Sequence, residues 1–453
     1  MLLLRMSGVP RLQYLLRTVH PSLIDDTAGA FDSKVMAAAW AKLGIGQSEL
    51  DGAKAAGIQA TLPVSDGGLG LRSQRAAAPA AWLSSIASCA DVLADHFGSP
   101  PSQLLEWIED AIDRVKASIS PEDLPKLADR IPLNPSRLLR AFTADRDGKE
   151  PERATAGLQR KLTELIDNAQ VQRLGQEAGT AAAGTDGSAR DIAARLFSCT
   201  APGTSTLLTT LPAMDLGPIP DAAFTLNLRM RLGLAPVTAI LPRTCYLCAA
   251  DVTKDPYHAL SCNKLKTDAT ARHNAIEGIL QKVGRFAGLG VQSQPRHVIP
   301  REDIIPDLLI TSAELREQCL VDVVVSHPTA PSHRHAAAKG ALQVARGAEA
   351  RKAEQYRNGA EVAGYQFLAF SVETFGGIGE EARAVVDFIC THAAQDVMSP
   401  WDPEDIRRYL YQSIATAIAV GNWHIMRKWL LANRIDGHCT SSHNDHPHLL
   451  DRL

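Results

Sequence analysis

The stretch "TCYLCAADVTKDPYHALSC", residues 244–262, constrains this chain more than any other. It gathers Cys245, Cys248, His258 and Cys262 within eighteen residues, in a 453-residue chain with eight cysteines. The spacing is C-x2-C-x9-H-x3-C. The first two cysteines can enter one tetrahedron from a tight turn. The histidine and the last cysteine, four apart, share one face of a helical turn. Thiolate with imidazole selects zinc, and four protein ligands leave no open position for catalysis. The expectation is a structural zinc knuckle, whose metal contributes roughly 10 kcal/mol or more to a unit without a core of its own. The alternative is three buried cysteines beside a surface histidine. A tail group, His438, Cys439, His443, His446 and His448, has no predicted element to hold it and reads as solvated.

The remaining composition is ordinary for a globular chain: 45% hydrophobic and 21% charged residues. A net charge of −3 gives no global basic footprint, so contact with nucleic acid has to come from local patches. There is no apolar run of eighteen residues, so no membrane span is expected. The N-terminal "MLLLRMSGVPRLQYLLR" is broken by Arg5, Arg11 and Arg17, unlike a signal peptide. The other cysteines, Cys89, Cys199, Cys319, Cys390 and Cys439, lie singly, which suits a reducing compartment.

Residues 1–98 read as helical. "DDTAGAFDSKVMAAAWAKLG" starts on Asp25 and Asp26, taken as caps rather than a polymerase metal pair, and "QRAAAPAAWLSSIASCADVLADHFG" predicts one long helix ending at Gly98. "SPPSQ" marks a boundary at 99–103. Residues 99–240 read as a helical linker, with Leu158, Leu162, Leu165, Ile166 and Leu174 at helical spacing and a flexible "EAGTAAAGTDGSA" at 177–189. The knuckle occupies 241–270. Residues 271–395 predict an amphipathic helix, a strand pair, a long helix from about 333 to 358, a strand at 365–374 and a closing helix. The whole is an α+β chain whose compact α/β domain has a mixed sheet flanked by helices. Residues 396–453 predict helices anchored by Trp423 and Trp429, then a disordered tail.

Within 304–326, "IIPDLLIT" and "QCLVDVVVS" are β-rich runs around the polar "SAELRE". A hairpin centred between Ala313 and Glu314 pairs Asp307 with Leu320. The six-residue loop 312–317 centres it one step later and pairs Asp307 with Asp322 on one face. Leu308, Ile310, Val321 and Val323 then face the core. Opposed carboxylates repel, and a divalent cation removes that penalty. Mg²⁺ takes one or two carboxylates and keeps positions for water and phosphate. The alternative is another register, with one aspartate as a turn residue.

Pro306-Asp307, fourteen residues and Asp322 resemble the PD-(D/E)xK nuclease signature. With the preceding knuckle and "ARHNAI" at 271–276, the order resembles the C-terminal half of non-LTR retrotransposon proteins that carry a restriction-like endonuclease. "GVPRLQYLLRTVHPS", "LPVSDGGLGLRS" and "FTLNLRMRLGLAP" are similar to the thumb region and pre-knuckle segment of those proteins. The resemblance implies that Asp307 and Asp322 bind a catalytic Mg²⁺. The usual lysine after the second acid is Val324 here, so Lys352 on the following helix becomes the candidate, with Tyr356 one turn on and Lys339 as runner-up. Glu277 and Glu373 are further acids. The resemblance also implies DNA and the element's RNA as partners and a nuclear setting. A reverse-transcriptase palm is missing, which reads as a truncated or degenerate element without polymerase activity.

Basic residues cluster near the knuckle: Arg243, Lys264, Lys266, Arg272, Lys282, Arg285, Arg296 and Arg301, with His273 beside them. Phosphate contacts from such groups add sequence-independent affinity; a merely solvated helix face is the alternative. Three functions follow: a Mg²⁺-dependent DNA-nicking enzyme, a catalytically decayed nucleic-acid-binding remnant, and a helical scaffold for protein partners.

Overall fold

The computed structural model of the chain describes residues 1–46, 49, 54–143, 155–182, 188–209, 218–237, 240–253, 255–300, 304–312, 317–393 and 402–433. The tail histidines, Cys439 and Arg301 lie outside them. The chain forms two units, Met1–Glu177 and Ala178–Leu453.

The first unit is helical. Its main helices are α1 (Pro21–Lys42), α2 (Gln74–Ser88), α3 (Ala90–Phe97), α4 (Ser102–Ser118) and α5 (Pro135–Phe142), with α6 (Leu158–Ala182) running past its end. The α6 residues Leu158, Leu162, Leu165 and Ile166 enter one core with Trp82, Leu83, Ile108, Ile112 and Leu138. That core runs across "SPPSQ", which separates α3 from α4. Three local expectations are corrected. The helix expected to run from 74 to 98 is two helices, bent by 60° at Cys89. Residues 177–182 continue α6. Finally, α1 starts at Pro21 with His20 as its cap, so Asp25 caps nothing; it forms an ion pair with Arg75.

The second unit is mixed α+β. Its main helices are α7 (Ser188–Cys199), α8 (Asp221–Leu232), α9 (Lys266–Phe286), α10 (Gln343–Val362), α11 (Glu380–Ala393) and α12 (Pro403–Ala432). Among the described residues the strands are β1 (Gly290–Ser293), β2 (Leu308–Thr311), β3 (Gln318–Ser326) and β4 (Gln366–Glu373), in sheet order β1-β2-β3-β4. The β1-β2 and β2-β3 pairs are antiparallel and β3-β4 is parallel, with α10 in the crossover. A parallel pair requires such a connection.

Leu308 pairs with Val321, and Ile310 with Cys319. This register, carried one step past β2, sets Asp307 opposite Asp322. Leu308, Ile310, Val321 and Val323 join one core with α9, α11 and α12. The other face, with Leu309, Leu320, Phe367 and Ala369, packs against Tyr356 and Ala360 of α10. The long helix expected at 333–358 is interrupted: a short turn at Arg334–Ala337 precedes α10. Leu342 enters α10 from a left-handed conformation, φ 59°, which a continuous helix cannot contain. Among the described residues no single helix is long and apolar enough to cross a membrane.

Candidate metal centres

The first centre grows from a turn. Cys245 N–H donates to the Ala250 carbonyl (2.9 Å) and Ala249 N–H to the Cys245 carbonyl (2.8 Å), with Ala249 at φ 61°. That reversal points Cys245 and Cys248 the same way. A 3₁₀ turn, His258–Ser261, presents His258, and Cys262 follows at its end. One donor atom from each of the four residues lies within 4.8 Å of the others, and Cys248 Sγ is 3.1 Å from His258 Nε2. Three thiols and one imidazole gathered this closely could hold a metal ion such as zinc. The described cysteines are all free thiols.

The knuckle does not stand alone, as its size had suggested. Cys245, Val252, Tyr257, Leu260 and Cys262 share a core with α8 and with Trp423, Met426 and Trp429 of α12. Trp429 Nε1–H donates to Cys245 Sγ at 3.2 Å. Burial pushes the Cys262 thiol up to about 12. Burial acts the same way on Cys245, but the Trp429 bond and backbone donors outweigh it and leave that thiol below its ordinary value. The two sulfurs thus differ: Cys262 holds its proton more tightly than Cys245.

The second centre lies where β2 ends. The ladder stops at Leu308, and the Asp307 carboxylate takes over: its Oδ2 accepts from Val323 N–H at 2.7 Å. The Asp307 carbonyl accepts from Gln294 N–H, also at 2.7 Å. Both ends of this aspartate are therefore pinned by backbone. Asp322 is buried on β3, and Lys352 Nζ of α10 meets its Oδ2 at 2.7 Å. Tyr356, one turn along, stacks on Phe367 and lies 5.5 Å from the Lys352 amine. Lys339, the alternative lysine, is exposed.

Two α9 residues complete this centre. His273 Nε2 is 3.2 Å from Asp307 Oδ2, and buried Glu277, one turn further, offers an oxygen to the same cluster. Glu277 Oε1 accepts from Ser293 Oγ (2.5 Å) and Gln281 Nε2 (2.9 Å). Burial raises the Asp322 carboxyl above its ordinary value, and the Asp307 charge raises it further; Lys352 and Tyr356 oppose both. Bonding to Asp307 raises His273 against the effect of burial, helped by the charges of Asp322 and Glu277. Tyr356 is also raised, by burial and then by Asp322, and stays a neutral phenol. The site concentrates negative charge, which is the environment a divalent cation requires.

Glu373 lies elsewhere. It pairs in register with Ser326 at the far end of β4, and its Oε1 accepts from Ala345 N–H at the start of α10. Arg272 does not face solvent: it is buried, and its guanidinium donates to Asn422 Oδ1 at 2.6 Å. Gly421 makes room for it, since a Cβ there would sit 2.5 Å from Arg272 Cγ. Asn422 in turn bonds Asn227 and the Thr374 carbonyl, so Arg272 ties α8, α9, α12 and the turn after β4 together. Its expected role as a phosphate contact is withdrawn, because a guanidinium inside that network has no free face. His273 is likewise engaged by Asp307. Arg243, Lys264, Lys266, Lys282 and Arg285 are exposed, although Lys282 donates to Tyr409 Oη at 3.0 Å.

Compared with family models and with curated proteins, the chain matches none.

Proposed function

We propose that residues 271–395 form a restriction-like endonuclease module that nicks DNA with a divalent cation, next to a structural zinc knuckle. The observation that carries this reading is the convergence of Asp307 and Asp322 from adjacent strands with the Lys352 amine 2.7 Å from Asp322. Two carboxylates can hold a divalent cation, and an amine beside them can stabilise charge on a phosphodiester under attack. Bound between the aspartates, Mg²⁺ would polarise the scissile phosphate and lower the pKa of the attacking water. Asp307, pinned by Val323 N–H, holds one carboxylate oxygen fixed. Lys352 supplies positive charge where the phosphorane develops, or orients the water. Tyr356 keeps the amine in place through its ring face.

The exposed basic groups Arg243, Lys264, Lys266 and Arg285 supply the DNA contacts in this reading, with exposed Lys282 on the same helix as Arg285. The order of knuckle and nuclease supports an origin in a non-LTR retrotransposon protein, with residues 1–98 as its thumb-like segment, RNA of the element as a second partner and the nucleus as its site of action. The test is conversion of supercoiled plasmid to open circles in Mg²⁺, by the whole chain and by Asp307→Ala and Asp322→Ala. Nicking by the wild type alone supports the proposal. DNA retention without nicking in any divalent metal would instead identify a zinc-bearing binding remnant, and neither activity would point to a protein scaffold.

A further inference from the structure

The cation position beside Asp307 carries a second kind of donor. His273 and Glu277 are four residues apart on α9 and so project from one face of it. One donor atom of each, together with an Asp307 oxygen, lies within 4.8 Å of the others. The three residues are differently fixed. Asp307 is held by Val323 N–H and Gln294 N–H. Glu277 is 6% exposed and held by Ser293 and Gln281. The His273 side chain is 26% exposed, enough to reach a solvent-facing ion. The geometry points to a three-ligand site, His273 Nε2, Glu277 and Asp307, that takes a first-row transition cation such as Mn²⁺ in preference to Mg²⁺.

The chemistry decides the preference. Mg²⁺ is hard, favours oxygen and parts reluctantly with its water shell. Imidazole nitrogen suits transition ions, and a site with one nitrogen and two carboxylates ranks them above Mg²⁺. Three protein ligands leave further positions of an octahedral ion for water and a phosphate oxygen. Asp322 is close enough for its charge to act on His273, and it pairs with Lys352 at 2.7 Å. This inference deepens the nuclease reading and rests on it for the identity of the substrate, though the metal site itself can be tested without one.

The experiment uses the whole zinc-loaded chain without DNA. Mn²⁺ is titrated by electron paramagnetic resonance and Mg²⁺ by competition, for the wild type, His273→Ala and Glu277→Gln. The expected result is tighter binding of Mn²⁺ than of Mg²⁺, with His273→Ala weakening Mn²⁺ roughly 10–100-fold, at least the range typical of losing a supporting contact, and erasing most of the preference. Electron spin-echo modulation of the wild-type Mn²⁺ complex should carry an imidazole ¹⁴N signature that the variant loses; this reading on the wild type holds even if the variant folds poorly. Equal affinity for the two ions, or no nitrogen coupling, overturns the inference. Plasmid nicking then separates the two levels. A His273-dependent Mn²⁺ site without nicking in Mn²⁺ or Mg²⁺ leaves the site standing and removes the nuclease reading. Nicking without His273-dependent binding does the reverse.

Discussion

The two candidate metal centres of the second unit use opposite designs. The knuckle is closed: three thiols and an imidazole, with Cys245 and Cys262 buried against α8 and α12 and one sulfur held by Trp429. The carboxylate centre is open: hard oxygens and one imidazole from α9 and the β2-β3 corner, with Lys352 reaching in from α10. At the knuckle three thiols and an imidazole could hold a metal such as zinc, and Cys245 and Cys262 share a core with α8 and α12. At the carboxylate centre like charges converge: burial raises the Asp322 carboxyl, the Asp307 charge raises it further, and Lys352 opposes both.

That contrast can be broken most easily at the knuckle. Stripping its metal with a chelator is expected to remove roughly 10 kcal/mol of support and to change the fluorescence of Trp423 and Trp429. Metal content by mass spectrometry and a thermal melt check this, and an unchanged melt after complete zinc loss would place the stabilising role elsewhere. Trp429→Ala follows in size. It empties the core under Cys245 and is expected to cost about 3–5 kcal/mol in denaturant titrations, with weaker zinc retention.

The opposite sign is expected where acids are buried. Glu373 is almost fully buried, which pushes its carboxyl up to about 7 from an ordinary 4.5. The folded chain therefore holds an extra proton between those values, so stability falls as pH rises through that window and stays low above it. Glu373→Gln keeps the acceptor for Ala345 N–H. It is expected to gain on the order of 2–3 kcal/mol at pH 8 and nothing below pH 4.5, measured by urea unfolding at both. Asp322→Asn is the smaller counterpart. Without divalent metal its melting temperature should equal or exceed that of the wild type, and added metal should raise the wild type more. A large loss of stability in that variant would make Asp322 a structural anchor.

Much of the hairpin was legible because two runs of alternating side chains admit few registers. Burying Leu308, Ile310, Val321 and Val323 together leaves Asp307 facing Asp322. The β1 strand gave no such signal: "GVQS" is short, mostly exposed and mostly polar, and only the edge of β2 makes it a strand. Arg272 was misplaced because charge suggested solvent. Its spacing to Ile276, Leu280 and Val283, all buried on α9, already assigned it to the inner face. His273 and Glu277 had the four-residue spacing of one helical face. Their meeting with Asp307, thirty residues away, depends on how α9 packs on the sheet, which no local pattern encodes.

The most direct test of the central claim compares wild type, Asp322→Asn and Lys352→Ala for nicking of supercoiled plasmid, with zinc content and melting temperature held equivalent. Divalent-dependent open circles are expected from the wild type, none from Asp322→Asn and strongly reduced product from Lys352→Ala. Equal nicking by all three folded proteins would contradict that claim.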